Sequence, residues 1–308
     1  VCQGGICLRM EAMQIGELEI HLISDGVVRV DAGGPFGLVP RPLYARYFPP
    51  ASDNTVPMVL TCMLVRSEGK VILIDTGLGT KLDEQGVAHW QLERDGDGLL
   101  DALASLNLSP EDVDIVINTH LHSDHCGGNT RREGSQIVAT FPRAQYLLQR
   151  IEWANATHTD ARTKGAYLPD NFAPLIAEGR MQLLHGDTQI TPHIRCVVTP
   201  GHTRGHQSVV LRSGSWRGMF SGDMASYAVH MARTAWLAAY DVEPLENAST
   251  KERWQKWALD TEAWVFIEHD PWLPVIRLKP HNGKLEAYAV EEAQPLIAGL
   301  PKLPRPGE

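Results

Sequence analysis

Three histidines and an aspartate fall within six residues of this chain, in the run His120-Leu121-His122-Ser123-Asp124-His125. Imidazole and carboxylate side chains are ligands for borderline divalent metals such as zinc, iron, manganese and cobalt. The run follows an apolar segment, and three further candidate ligands also follow apolar segments: His202, Asp223 and His269. Their common position at strand ends predicts a single metal centre.

The spacing divides these residues between two ions. Residues i and i+2 of an extended segment point the same way, so His120 and His122 can reach one ion. His202 would complete that first site. Asp124 and His125 lie on the turn into the next helix and are predicted to face a second ion.

His269 would complete the second site, and Asp223 can bridge the ions because a carboxylate has two oxygens. Two ions roughly 3.5–4 Å apart hold a water between them and lower its pKa towards about 7. That arrangement supplies hydroxide at neutral pH without a protein base. Asp124 and Asp223 are assigned as the catalytic carboxylates, and two divalent ions are expected per chain. Zinc is the first choice, and iron, manganese and cobalt are alternatives.

Composition excludes several classes of partner. The net charge is −9, and no cluster of basic residues exceeds the pair Arg131-Arg132. Nucleic-acid binding normally needs a basic face, so a nuclease is disfavoured. No run approaches the roughly 18 apolar residues that span a bilayer, so no membrane association is expected. A hydrophobic fraction of 43% suits a globular core.

The cysteines indicate a reducing compartment. There are five, without the regular spacing of a disulfide framework: Cys2, Cys7, Cys62, Cys126 and Cys196. An odd number in a long, core-rich chain is typical of free thiols. A cytoplasmic location is expected on this basis.

The elements that must position the ligands are strands followed by turns or helices. Residues 18–23 and 27–30 flank Ser24-Asp25-Gly26, which predicts a hairpin. Residues 59–65 and 71–74 predict a second hairpin, and the continuous apolar run 71–74 is typical of a strand buried on both faces.

Later strands deliver the ligands themselves. Residues 113–118 lead to His120, and the pattern Ser249-Thr250-Lys251-Glu252 predicts a helix start by a capping box. The remaining predicted strands are 194–198 before His202, the hairpin 207–211 and 216–220 before Asp223, and 264–267 before His269.

This pattern favours one catalytic domain over residues 17–294, with two sheets face to face and helices outside. Residues 1–16 are an N-terminal extension, and residues 295–308 form a Pro-rich, irregular tail. Residues 31–57 and 224–245 stand outside the plan as insertions, and we expect them to wall the substrate site.

The motifs resemble those of the metallo-β-lactamase superfamily over residues 17 to about 280. The residues that carry the resemblance are Asp75-Thr76-Gly77, the run 120–125, Pro200-Gly201-His202-Thr203 with Gly205-His206, Ser221-Gly222-Asp223, and His269. The resemblance implies a four-layer αβ/βα sandwich, that is, two mixed β-sheets with helices on the outer faces. It also implies a dinuclear site at one edge of the sheets, with the ligand roles given above.

Within that superfamily the long N-terminal loop is similar to the branch of acyl-homoserine lactonases and methyl parathion hydrolase-like enzymes. The lactonases carry a tyrosine three residues after the bridging aspartate. This chain has Ser226 there and Tyr227 one later, which leaves lactone specificity open. The chain also lacks the cysteine ligand of zinc β-lactamases, so β-lactam hydrolysis is at most a side activity.

Residues near the ligands have their own expected roles. His206 is assigned as a partner that orients ligands, and Asp75 as the residue that orients the ligand loop. Cys126 is taken as a plain helix-start residue. The aromatic residues of the two insertions are left as either substrate pocket or core: Phe36, Tyr44, Phe48 and Trp236.

These inferences predict a metal-dependent hydrolase that uses a metal-bridging hydroxide on a small ester, lactone or phosphotriester. The partner is thus a small-molecule ester-type substrate, and exposed aromatic loops would permit a homodimer. An iron-dependent redox enzyme of the same fold, similar to a thiol dioxygenase, is the alternative. The sequence leaves the substrate, the metal and the oligomeric state open.

Overall fold

The computed structural model describes residues 12–305, and two seven-stranded sheets form its centre. The first sheet has the order β1-β2-β3-β4-β5-β8-β9, and a separate antiparallel ribbon joins β6 to β7. The strands of this half are β1 (Met13–Ile15), β2 (Leu18–Asp31), β3 (Thr55–Ser67), β4 (Lys70–Ile74), β5 (Ile115–Ile117), β6 (Thr130–Glu133), β7 (Gln136–Ala139), β8 (Gln145–Gln149) and β9 (Met181–Leu184).

The second sheet runs in sequence order from β10 to β16, mostly antiparallel, with β13 and β14 parallel. Its strands are β10 (Thr188–Thr191), β11 (Ile194–Val198), β12 (Gln207–Ser213), β13 (Trp216–Phe220), β14 (Trp264–Phe266), β15 (Val275–His281) and β16 (Lys284–Ala289). The structure thus contains two mixed sheets, as predicted.

The described residues contain ten α-helices, several of which cover the outer faces of the two sheets. They are α1 (Gly33–Phe36), α2 (Arg41–Tyr44), α3 (Glu84–Trp90), α4 (Leu99–Ser105), α5 (Ser123–Cys126), α6 (Arg150–Thr157), α7 (Ala173–Ala177), α8 (Ala228–Ala232), α9 (Pro244–Thr261) and α10 (Gln294–Ile297). None of the helices in the described part of the chain is long and apolar enough to span a membrane.

Strand β4 lies between two apolar layers, because its side chains are buried on both faces of the sheet. Its Ile72 and Ile74 point into the apolar cluster between the sheets, where they join Val209 and Phe220 of the second sheet. Its Leu73 points the other way, into a cluster under helices α4, α6 and α7. A strand buried on both faces needs the continuous apolar run that the sequence has here. The αβ/βα sandwich is therefore confirmed.

The predicted hairpin at Ser24-Asp25-Gly26 is wrong. Strand β2 continues through this segment and pairs with β3 on both sides of it, with a register shift between Ser24 and Val27. The turn-forming residues make a β-bulge instead. The bulge turns Asp25 inward, where its carboxylate accepts hydrogen bonds from the backbone N–H groups of Gly79 and Leu99 and pairs with Arg94.

Two other boundaries differ from the predictions. Helix α9 begins at Pro244, a residue favoured in the first turn, so the capping-box pattern at 249–252 lies inside the helix. Part of the tail predicted to be irregular forms helix α10, and its Leu296 is buried in the cluster between the sheets. Residues 1–11 of the N-terminal extension and 306–308 of the tail lie outside the described residues.

The burial of helix α10 predicts a measurable stability effect. Replacing Leu296 by Ala removes buried methyl groups and leaves a cavity, which typically costs about 2–5 kcal/mol. Leu245, which is 81% exposed, is the matched control, and its replacement by Ala should change the free energy of unfolding by less than about 0.5 kcal/mol. Urea denaturation of both variants measures the difference. Equal stabilities would mean that the tail does not belong to the core.

Candidate metal centre

The ligand run lies where β5 ends and the short helix α5 begins. His122 has an extended backbone and directly precedes α5. Behind the run, Gly127 and Gly128 pass so close to the preceding loop that no side chain would fit. A Cβ atom on Gly127 would lie 2.2 Å from the carbonyl oxygen of Leu78, and one on Gly128 equally close to that of Thr76. The glycines therefore allow the run to fold back onto the end of β4.

The first group of candidate ligand atoms comes from the three histidines that the sequence assigns to one site. The nitrogen atoms of His120, His122 and His202 lie within 4.8 Å of one another. His202 Nε2 lies 3.0 Å from His122 Nδ1. His120 Nε2 is buried and has no hydrogen-bond partner. Three nitrogen atoms thus converge on one point in the interior.

The second group contains Asp124, His125 and His269, also within 4.8 Å of one another. The Nε2 atoms of His125 and His269 are 3.3 Å apart. The Asp124 carboxylate lies 3.6 Å from the former and 3.9 Å from the latter. The end of β14 delivers His269 from the second sheet, so this group joins the two halves of the chain.

Asp223 lies between the two groups. Its Oδ2 is 3.2 Å from His202 Nε2 of the first group, and its Oδ1 is 3.1 Å from His269 Nε2 of the second. Burial alone would raise the pKa of this carboxyl, but the imidazoles of His269, His202 and His125 hold it well below its usual value. Asp223 is therefore an anion with one oxygen directed at each group.

A second set of hydrogen bonds fixes the outward nitrogen of these imidazoles. Asp75 Oδ2 and Glu268 Oε1 lie 3.1 and 3.0 Å from His125 Nδ1. Asp241 Oδ1 lies 3.0 Å from His202 Nδ1, and the Val59 carbonyl accepts from His269 Nδ1 at 2.8 Å. Such partners hold the ring and leave its other nitrogen free to bind a metal.

Asp75 and His206 have the surroundings expected of supporting residues, whereas Cys126, predicted at a helix start, is the last residue of α5. Asp75 also accepts a hydrogen bond from the Thr119 backbone N–H at 2.8 Å, so it orients the ligand run. Burial lowers the pKa of His206 to about 3, and its neutral Nε2 accepts from the Asp223 N–H at 3.0 Å. The Cys126 thiol donates to the Leu121 carbonyl and lies in the core.

Sequence reasoning missed three of the supporting carboxylates: Asp241, Glu268 and Glu152. Glu268 directly precedes His269, and a charged residue after a buried strand was a usable signal. Burial raises the pKa of Glu268 to about 8, so it can carry a proton at neutral pH. Asp241 lies 39 residues after His202, in a loop whose path no local pattern indicates.

An apolar cavity of about 260 Å³ opens onto the metal centre. Its floor is formed by His122, Asp124, His202 and Asp223. Its walls are Val30, Met58, Trp90, Ser123, Gly165, Ala166 and Tyr240. The expectation that residues 31–57 wall the site is not met, since none of the lining residues comes from that segment.

The aromatic residues of the first insertion form core. Phe36, Tyr44 and Phe48 are buried with Tyr227 in one cluster, and half-buried Trp236 packs against it. The Phe36 and Tyr44 rings stack with their centroids 4.5 Å apart. Of the two insertions, only the second reaches the cavity, through Tyr240. The first insertion, residues 31–57, therefore packs in the core next to the site and does not line the cavity.

Comparison with known proteins agrees with this geometry. The family model described as the metallo-beta-lactamase superfamily matches residues 56–269. An N-acyl homoserine lactonase from Bacillus sp is 29% identical over 49% of this chain and 58% of its own length. The N-acyl homoserine lactonase AttM of Rhizobium radiobacter is 25% identical over 71% of this chain and 84% of its own length. The chain thus spans less than two thirds of the Bacillus relative.

Solved structures resemble the chain over most of its length. A probable metal-dependent hydrolase from Staphylococcus aureus has a TM-score of 0.82 and 26% identity, covering 91% of this chain and 99% of its own. AidC, a dizinc quorum-quenching lactonase in complex with its product, has a TM-score of 0.76 and 21% identity, covering 91% and 97%. At that identity the second likeness concerns the fold alone.

Glu152 connects the two ligand loops from outside the centre. Its fully buried carboxylate accepts from the Leu121 backbone N–H at 3.1 Å, between His120 and His122. It also accepts from the Thr203 hydroxyl at 2.6 Å, next to His202. Burial raises the pKa of Glu152, and these hydrogen bonds compensate part of that cost.

Replacing Glu152 by Ala should destabilise the metal-free protein. The change leaves buried donors without an acceptor, which costs about 1–3 kcal/mol for each group. We expect a loss of roughly 3 kcal/mol in urea denaturation and a smaller loss for Glu152→Gln, which keeps an acceptor oxygen. Glu252→Ala, at an exposed position of α9, is the control. A stability of Glu152→Ala equal to that control would show that the carboxylate does not join the loops.

Proposed function

The chain belongs to the metallo-beta-lactamase superfamily, and we propose that it is a dinuclear metal-dependent hydrolase of small lactones. The observation that carries this proposal is the position of Asp223 between two groups of ligand atoms. A carboxylate with one oxygen 3.2 Å from His202 and the other 3.1 Å from His269 is suited to bridge two ions. Two-metal sites are a recurring arrangement in hydrolases.

The donor atoms fit such a pair. His120, His122 and His202 would hold one ion, and Asp124, His125 and His269 the other. The buried, unpartnered Nε2 of His120 supports this, because burying a polar atom without a partner is costly unless something binds it. Nitrogen and carboxylate ligands suit zinc, which is also the ion named for the AidC neighbour. We therefore propose two zinc ions per chain.

When bound, two such ions supply a Lewis acid for the acceptor oxygen and hydroxide at neutral pH. The residues of the chain supply the rest. Asp75, Glu268 and Asp241 hold the imidazoles in place, so that little reorganisation is needed during the reaction. The Asp124 carboxylate lines the cavity and can pass the proton of the hydroxyl group added to the carbonyl carbon on to the leaving alkoxide oxygen.

The cavity favours an ester with an apolar portion. Val30, Met58 and Trp90 form an apolar wall beside the ligand residues. Apolar walls around a few polar groups are typical of small-molecule sites. A lactone with an acyl chain fits this arrangement, and lactones are the substrates named for the Bacillus and Rhizobium relatives. Aryl esters and phosphotriesters are the comparison substrates.

The proposal predicts that the protein contains metal and that removing the metal abolishes hydrolysis. Elemental analysis should give about two zinc ions per chain, and a chelator should remove lactone hydrolysis. Asp223→Ala should lower both the ion count and kcat/KM, the latter by about 10³-fold, since charge stabilisation by a metal amounts to several kcal/mol. His281→Ala, at an exposed position of β15, is the control and should keep full activity.

Two results would contradict the proposal. Full hydrolysis by Asp223→Ala at stoichiometric metal would remove Asp223 from the mechanism. One iron per chain, with oxygen consumption and no hydrolysis of any ester, would instead establish the redox enzyme. Preference for an aryl ester or a phosphotriester over every lactone would keep the dinuclear mechanism and change the substrate class.

A further inference from the structure

Tyr240 lines the cavity beside the candidate metal ligands. Its ring packs against His202, with the centroids 5.7 Å apart and the planes at 88°. It lines the same cavity as Asp124 and Asp223. The other hydroxyl on the cavity wall is that of Ser123, which donates to the Ala166 carbonyl. Of the two hydroxyl groups on residues that line the cavity, that of Tyr240 therefore has no hydrogen-bond partner within the described residues.

The nearest tyrosine to Asp223 in sequence has a different role. Tyr227 is fully buried, and its hydroxyl donates to the Pro57 carbonyl at 3.1 Å. Its ring packs on Phe48 with centroids 4.3 Å apart, within the core behind the site. Tyr227 does not line the cavity, whereas Tyr240 does. Tyr227 therefore stabilises the core and does not contact a substrate in the cavity.

The backbone on both sides of Tyr240 is held in place. Arg162 donates to the carbonyl oxygens of Ala239 and Asp241, at 2.7 and 2.8 Å. The Ala239 N–H donates to the Gly34 carbonyl at 2.7 Å. The Asp241 carboxylate, next in sequence, accepts from His202 at 3.0 Å. A loop held in place on both sides of Tyr240 is what a preorganised donor requires.

The first insertion also fixes the ring itself. A Cβ atom built on Gly34 would lie 3.0 Å from Cε1 of Tyr240, which is closer than ordinary contact. Gly34 lies within helix α1, where Ala is otherwise favoured over Gly. The absence of a side chain at position 34 therefore leaves room for the aromatic ring of Tyr240.

We propose that the Tyr240 hydroxyl donates a hydrogen bond to the carbonyl oxygen of the substrate as that oxygen becomes negative. This inference rests on the proposed hydrolase. The tyrosine keeps its proton throughout, so it acts by stabilising charge and neither gains nor loses a bond. A phenol titrates near pH 10 in water, so the hydroxyl donor is present at neutral pH.

The first test is Tyr240→Phe in the zinc-loaded enzyme. Loss of one such donor typically lowers kcat by about 10²-fold. We expect that loss with KM, zinc content and melting temperature almost unchanged, because the Phe ring keeps the contact with His202. Tyr227→Phe is the matched control and should show the opposite: kcat kept and a lower melting temperature. An unchanged kcat in Tyr240→Phe would overturn the proposal and leave the ring as a wall.

The variant Gly34→Ala tests the role of Tyr240 without changing Tyr240 itself. The new methyl group must displace the Tyr240 ring by a few tenths of an ångström, so kcat should fall in this variant as well. In the Tyr240→Phe background the same change should have a much smaller effect, since the donor is already gone. Equal and independent effects in the two backgrounds would contradict a role through Tyr240.

A binding measurement separates this inference from the proposed function. An alkylphosphonate monoester carries a tetrahedral, negatively charged centre but is not cleaved. Calorimetry should give a dissociation constant about 10-fold higher for Tyr240→Phe than for the wild type, as for a hydrogen bond to a charged group. That result without hydrolysis of any ester would leave the inference standing and remove the proposed function. Equal affinities, or no binding to the wild type, would overturn the inference.

Discussion

The contact of Asp223 with imidazoles from both sheets is the interaction on which the remaining site depends. His120, His122 and His125 extend from the first sheet, whereas Asp223 and His269 extend from the second. These groups can meet only where the edges of the two sheets lie side by side. So many buried ionisable groups are tolerable only if opposite charges and hydrogen bonds compensate each of them. The supporting carboxylates Asp75, Glu268 and Asp241 provide that compensation.

A site residue can be predicted from the sequence only when the pattern that indicates it lies close to that residue in the chain. The ligand run and the strands before His202 and His269 were predictable, because each signal lies within a few residues of the ligand. Asp241 and Tyr240 were not, since they reach the centre through a loop whose path is set by tertiary contacts with Arg162 and Gly34. The residues around Asp241 and Tyr240 in the sequence do not indicate those contacts.

The fold shows the same limit. Ser24-Asp25-Gly26 has the composition of a hairpin turn, and a single sequence does not separate a turn from a bulge. The difference lies in Arg94 and in the N–H groups of Gly79 and Leu99, which meet the Asp25 carboxylate from distant parts of the chain. By contrast, β4 was predictable because burial on both faces requires apolar residues at every position.

The arrangement separates metal binding from substrate selection. Ligands come from strand ends that are fixed by buried carboxylates, where a substitution disturbs charge compensation as well as geometry. The cavity walls come from other places: Val30 and Met58 on β2 and β3, Trp90 at the end of α3, and Tyr240 on a loop. None of these four residues hydrogen-bonds a ligand imidazole in the described structure. Substitutions at the walls can therefore change the shape of the cavity without disturbing the candidate ligands, and the metal-ligand motif by itself does not determine the substrate.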